Sequence, residues 1–151
     1  MISFSLKENY KVEEVDYDSI KKQFSKIKDI GINNVNSNYK FYIIRDLKDN
    51  TKFMGIIIID ENPREYYNIF EKSKEELGHD IELLKYWVDP KFRNMGIGKT
   101  LMLNVLNKYK GKKIGLCTGN LTTNQAKYIY SKFGFNVIIN KDPYLFWFKE
   151  N

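Results

Sequence analysis

Val88-Asp89-Pro90-Lys91-Phe92-Arg93-Asn94-Met95-Gly96-Ile97-Gly98 is the stretch on which the fold turns. The residues leading into it, Ile81 to Val88, read as a strand, and Asp89-Pro90 ends that strand because proline cannot donate to a ladder. Beyond it Ile97, Leu101, Val105, Leu106 and Tyr109 recur at helical spacing, so a helix follows the glycines. Arg93 to Thr100 therefore lies where a helix begins, with unpaired backbone N–H groups and the positive end of the dipole, a place that holds phosphate. Gly96 and Gly98 would let the backbone approach a pyrophosphate without a Cβ in the way, and Arg93 and Lys99 would add charge. Two familiar phosphate loops do not fit. A Walker A loop needs glycine where Arg93 stands, and a dinucleotide fingerprint needs glycine where Leu101 stands.

Working outward, Lys113 to Thr118 reads as the next strand, and Thr122 with Gln125 three residues on makes a capping box for a helix carrying Ala126, Ile129, Tyr130 and Phe133. Gly134 closes that helix, and Phe135 to Ile139 and Tyr144 to Phe148 read as a final strand pair. Upstream, Phe4 and Leu6 alternate with serines as a short first strand, and Tyr17, Ile20, Phe24 and Ile27 form a helical stripe that Asp16 or Asp18 could cap, ending at Gly31. Tyr39 to Arg45 and Lys52 to Asp60 flank Asp49-Asn50 as a hairpin, and the unbroken Ile56 to Ile59 implies burial on both faces. Asn62-Pro63 and Gly78 bracket Tyr66, Ile69, Phe70 and Leu77, which predicts an acidic amphipathic helix of about four turns over residues 63–77.

Composition bounds the class. The chain has 151 residues and 18.0 kDa, with 42% hydrophobic and 29% charged side chains, which suits one globular domain over 1–151 and excludes disorder and membrane spanning. The N-terminus lacks a signal-peptide pattern, so a cytoplasmic location is expected. One cysteine, Cys117, excludes an intramolecular disulfide framework, and with a single His79 no metal site is expected. The net charge of +6 is polarised: residues 60–82 carry eight acidic and three basic side chains, residues 83–151 twelve basic and three acidic. The basic half suits an anionic partner such as a phosphorylated cofactor, the acidic segment a cation, and ordinary solvated faces are the plainer reading of both. The basic residues are mostly Lys without interleaved aromatics, which argues against a nucleic-acid partner.

The stretch 88–98 resembles the acetyl-coenzyme A signature of the GNAT N-acetyltransferases, Val-x-Pro-x-x-Arg-x-x-Gly-x-Gly. Ala126-x-x-Ile129-Tyr130-x-Lys132-x-Gly134-Phe135 is similar to a second block of that family, in the right order. The resemblance implies an α+β fold with a central mixed, mostly antiparallel sheet of about six to seven strands flanked by about four helices in three layers. It implies acetyl-CoA as cosubstrate, with Trp87 and Val88 pairing with the pantetheine arm, Arg93, Asn94, Met95, Gly96, Ile97, Gly98, Lys99 and Thr100 around the pyrophosphate, and Asn124 as a further contact. Many relatives carry asparagine where Thr123 stands, so Asn124 is a weaker match.

The implied reaction is direct acetyl transfer to a primary amine of a small molecule, a cationic one being favoured by the acidic segment. Tyr130 is implied as general acid for the departing thiolate, and a thiol near 8.5 against a tyrosine near 10 makes that uphill by about 1.5 units, or about 2 kcal/mol. A packed core tyrosine is its plainer reading. Glu82 is implied as general base, directly or through water; a charge that merely attracts a cation, or one on a solvated sheet face, is its plainer reading. Alternatives are a peptide or protein amine as acceptor, or a non-catalytic CoA-binding domain serving as sensor or interaction module. The 63–77 insertion reads either as a wall of the acceptor site or as a dimerisation or surface element. His79 reads more readily as a surface loop residue than as a base, Cys117 as a buried small hydrophobe, and Tyr144 or Trp147 as core or as a wall of an acceptor pocket.

Overall fold

The computed structural model describes residues 9–30, 35–48, 52–119 and 122–151. Its elements are β1 (Tyr10–Val15), α1 (Tyr17–Phe24), β2 (Tyr39–Asp46), β3 (Phe53–Asp60), β4 (Tyr66–Tyr67), β5 (Lys72–Ser73), α2 (Lys74–Leu77), β6 (Ile81–Val88), α3 (Ile97–Lys108), β7 (Lys113–Thr118), α4 (Asn124–Lys132), β8 (Asn136–Lys141) and β9 (Tyr144–Glu150). Seven strands form one mixed sheet in the order β1-β2-β3-β6-β7-β9-β8, and β4 with β5 forms a separate two-stranded ladder. With the four α-helices among the described residues this is the α+β fold that the resemblance implies. β6 and β7 are parallel, pairing Ile81 with Ile114 and Glu82 with Gly115, whereas β7–β9 and β8–β9 are antiparallel.

The chain divides into two compact units. The first comprises the described residues of Met1–Ile59 with Lys85–Tyr109. Ile56 to Ile59 in β3 are at most 1% exposed, the two-sided burial expected of an unbroken apolar run. α3 buries Ile97, Leu101, Met102, Val105 and Leu106, and Gly55 lets it come close: a Cβ there would stand 3.2 Å from Ile44 and from the Trp87 carbonyl and 3.4 Å from Leu101. Gln23 on α1 clamps Phe53, donating to its carbonyl and accepting from its N–H, both at 2.8 Å. β1 was not foreseen: its Lys11, Glu13 and Glu14 hide the alternation of an edge strand paired to β2. The first strand expected at Phe4–Leu6, the Gly31 stop and the Asp49-Asn50 turn lie outside the described residues.

The second unit comprises Asp60–Leu84 and the described part of Lys110–Asn151. Tyr67, Phe70, Leu77 and Phe146 form its buried cluster, with Ile139 packed against it. α4 is capped by Thr123, whose hydroxyl accepts from the Ala126 N–H at 3.1 Å, one residue later than the Thr122 expected; the Thr122 hydroxyl instead accepts from the Gly119 N–H.

The long helix expected over 63–77 is absent. Residues 61–65 form no regular element, β4 and β5 make a minimal hairpin around the left-handed Glu71 (φ 53°), and α2 is a single turn. The reason is a stronger start signal further on: Ser73 and Glu76 form a complete capping box, so the helix nucleates at Lys74, and Gly78 ends it in the left-handed conformation (φ 82°). The apparent stripe is split as well, since Tyr67, Phe70 and Leu77 are buried while Tyr66 and Ile69 stay 49% and 46% exposed.

Candidate active site

In the first unit, β6 ends at Val88 and Asp89 turns the chain, its side chain accepting from the Lys91 N–H at 2.9 Å and its own N–H donating to the Met54 carbonyl. Arg93 Nε then donates to the Val88 carbonyl at 3.0 Å, tying the guanidinium to the strand end. Asn94 (φ 65°) and Gly96 (φ 79°) both adopt left-handed backbone, a conformation from which anion-binding backbone concavities are built. Gly96 is the N-cap of α3, and no side chain caps it. The first-turn amides thus lack the usual side-chain acceptor, and no acidic residue occupies that turn. Gly98 is demanded by packing: a Cβ would lie 2.5 Å from the Tyr86 hydroxyl and 2.9 Å from Val88 Cγ2. Ile97, 1% exposed, anchors the helix start, while Arg93, Asn94, Met95 and Lys99 are exposed. The Thr100 hydroxyl turns back onto the Gly96 carbonyl at 2.9 Å, so Thr100 braces the loop. Trp87 is buried edge-on to Phe53, and its Nε1 has no hydrogen-bond partner among the described residues.

In the second unit, Glu82 is 4% exposed, which removes the reading of a charge on a solvated face. The Tyr67 hydroxyl donates a short hydrogen bond to Glu82 Oε1 and lies 2.8 Å from His79 Nε2. Arg64 approaches Glu82 Oε2 at 3.7 Å and stacks its guanidinium 4.6 Å from the Tyr67 ring centre. Burial, reinforced by the Glu82 charge and hydrogen bond, pushes the Tyr67 phenol far above its ordinary range, so it stays a neutral donor. His79 is no surface residue. It is 2% exposed, in ring contact with Tyr67 and Phe146, and its Nδ1 has no hydrogen-bond partner among the described residues. Room for it comes from Gly115, where a Cβ would stand 2.7 Å from His79 Cδ2. Tyr67 and Arg64 escaped the sequence reading because the false 63–77 helix hid them, and the Ser73/Glu76 capping box is the signal that would have freed them; His79 was read as a surface residue.

Cys117 is exposed rather than buried. The protein around its sulfur, with Glu82 second, nevertheless pushes the thiol up to about 12. Tyr130 is 9% exposed and packs against Phe135 and Trp147, and burial pushes its phenol up to about 12. Trp147, 6% exposed, donates from Nε1 to Thr118 Oγ1 at 3.0 Å and belongs to the core. Asn124 opens α4 and is exposed. Among the described residues no group of three or more His, Cys, Asp or Glu could hold a metal ion, and no helix is long and apolar enough to cross a membrane.

A family model described as an acetyltransferase (GNAT) domain matches residues 37–137. The chain belongs to the GNAT acetyltransferase family. Its fold agrees with solved GNAT structures. Arabidopsis thaliana NAA60, solved with a bisubstrate analogue, aligns over 93% of this chain and 97% of its own with a TM-score of 0.65 and 13% identity. Arabidopsis thaliana Naa50, in complex with the bisubstrate analogue CoA-Ac-MVNAL, aligns over 95% and 99% with a TM-score of 0.62 and 19% identity. The PaiA N-acetyltransferase of Thermoplasma acidophilum, in complex with coenzyme A, aligns over 89% and 68% with a TM-score of 0.55 and 18% identity. No curated protein matches the sequence. As a GNAT acetyltransferase the chain is an enzyme of a family that draws its acetyl group from acetyl-CoA.

Proposed function

We propose that this GNAT acetyltransferase works as one domain in the cytoplasm and transfers the acetyl group of acetyl-CoA directly to a primary amine of a small, cationic acceptor. The observation that carries the cosubstrate half is the α3 start: an uncapped helix N-terminus behind left-handed Asn94 and Gly96, flanked by Arg93 and Lys99, fits a pyrophosphate. Trp87 and Val88 would face the pantetheine arm, and Asn124 would add a contact. Acetyl-CoA, when bound, supplies the activated acetyl group. Glu82 takes the proton of the acceptor ammonium, directly or through water, and frees the lone pair that attacks the thioester carbonyl. Arg64, 3.7 Å from Oε2, marks a cation position on the outer carboxylate oxygen with which a positively charged acceptor can exchange. Tyr130 faces the harder task. With its phenol at about 12 and a thiol near 8.5, full proton transfer is uphill by about 3.5 units, or about 5 kcal/mol, more than an ordinary tyrosine would require. Tyr130 therefore acts chiefly as a hydrogen-bond donor to the departing sulfur, and its proton follows late.

A peptide amine is the second reading, favoured by the end-to-end alignment with NAA60 and Naa50. The deciding experiment is calorimetric titration with acetyl-CoA, then thiol release against polyamines, aminoglycosides, amino acids and basic peptides. Binding that Arg93→Ala and Gly96→Glu weaken, with thiol release on a small amine, is the expected result. Release only on peptides selects the second reading, binding without release on any acceptor points to a CoA-binding sensor, and unchanged affinity in both variants overturns the phosphate cradle.

A further inference from the structure

We propose that His79 is a positioning residue for acetyl transfer, acting through Tyr67 to fix which oxygen of Glu82 meets the acceptor; this rests on Glu82 as the base. A phenol has one proton. That of Tyr67 goes to Glu82 Oε1, so the 2.8 Å contact between Tyr67 Oη and His79 Nε2 is a hydrogen bond only if Nε2 carries hydrogen and donates it. The ring nitrogen facing Tyr67 is thus a donor, and Nδ1 has no hydrogen-bond partner among the described residues. The chain runs Nε2–H to Oη–H to Oε1, and in a buried site each donation strengthens the next. Oε1 is engaged, and Oε2, on the Arg64 side, is the oxygen left to receive a proton. Without the imidazole donor the hydroxyl keeps its bond to Oε1 but loses the donation that fixes and polarises it, and the carboxylate is held less firmly. Packing alone does not require this arrangement, since a phenyl ring would fill the space above Gly115 and against Phe146 without aiming a donor at Tyr67.

The test is steady-state turnover of the full chain with acetyl-CoA and the best acceptor amine found, alongside calorimetric acetyl-CoA affinity. His79→Phe keeps the ring and removes the donor; it should lower kcat about tenfold, part of the 10²–10⁴ that a positioned base contributes, with acetyl-CoA affinity unchanged. His79→Gln, which restores an N–H donor, should recover much of the loss. Tyr67→Phe should match His79→Phe, and the double variant should be no worse than Tyr67→Phe alone, because His79 acts only through that hydroxyl. Losses that multiply in the double variant, or a His79→Gln as poor as His79→Phe, would overturn the inference in favour of packing. Should His79→Phe fail to fold, His79→Leu, which also lacks a donor, takes its place in the same cycle with Tyr67→Phe. Glu82→Gln separates the two claims: wild-type turnover there removes the base and this inference with it, whereas an inactive Glu82→Gln beside a normal His79→Phe overturns the inference alone.

Discussion

Gly115→Ala tests the packing under the Glu82 site with a single methyl group. Gly115 pairs with Glu82 across the parallel ladder, and an added Cβ would stand 2.6 Å from Phe146 Cζ, 2.7 Å from His79 Cδ2 and 2.8 Å from His79 Cγ. Carbon atoms rest at about 3.5–4.0 Å, so both rings must retreat by about 1 Å. Neither has space to do so, since Phe146 is 0% and His79 2% exposed. Overpacking of this kind costs about 1–3 kcal/mol, and at about 2–4 °C per kcal/mol for a chain of this size a 2 kcal/mol loss lowers Tm by about 4–8 °C. Displacing His79 also stretches its 2.8 Å contact with Tyr67, so turnover should fall alongside stability. Thermal unfolding by circular dichroism and a thiol-release assay read the two effects, with Lys113→Ala, two residues back along the strand and exposed, as the control expected to stay within about 0.5 kcal/mol. The sign is diagnostic. Glycine-to-alanine in an uncrowded position raises stability by about 0.4–1 kcal/mol through the unfolded chain, so an unchanged or higher Tm would refute the close packing of His79 and Phe146 on Gly115.

Tyr130 loses its proton near 12 when folded and near 10 when unfolded, so its contribution to stability is full below pH 10 and declines by up to about 3 kcal/mol as pH rises to 12. Tyr130→Phe should lower turnover more than acetyl-CoA affinity and make denaturant midpoints less steep between pH 10 and 12; equal losses of turnover and affinity would leave only a structural role. Cys117, with its thiol at about 12, should alkylate at pH 8 about 10³-fold more slowly than a free thiol near 8.5. Glu82→Gln should speed that reaction by removing a neighbouring negative charge, and a free-thiol rate in the wild type would contradict this environment of the sulfur.

Legibility in the sequence followed the strength of local punctuation. β6, the start of α3 and β7 fall where read because Asp89-Pro90 and Gly96 dominate their neighbours. The 63–77 segment failed for the converse reason. Apolar residues at helical spacing cannot tell a helix from a chain whose aromatics are drawn inward one at a time, as Tyr67 and Phe70 are toward Phe146. His79 was misjudged because its burial depends on the missing side chain of Gly115, a residue far along the sequence that its own turn does not reveal. The turn before α3, where we propose the pyrophosphate sits, was legible as a strand-to-helix junction because Asp89-Pro90 and the glycines at 96 and 98 mark it in the sequence. Around Glu82 the residues converge from β4, the turn before β6, and β6 itself, and only folding brings them together.

The bond from Arg93 Nε to the Val88 carbonyl changes what kind of phosphate ligand this arginine would be in the role we propose for it. A free arginine side chain gives up about 2 kcal/mol of rotamer freedom when it is immobilised. Here part of that loss occurs as the chain folds, so an arriving anion meets a charge already held near one place. Lysine at the same position would carry equal charge but, lacking the second nitrogen that holds the strand end, would still have that freedom to lose at the moment of binding. In that proposed role the loop would work as a template set in advance, in which geometry matters as much as charge.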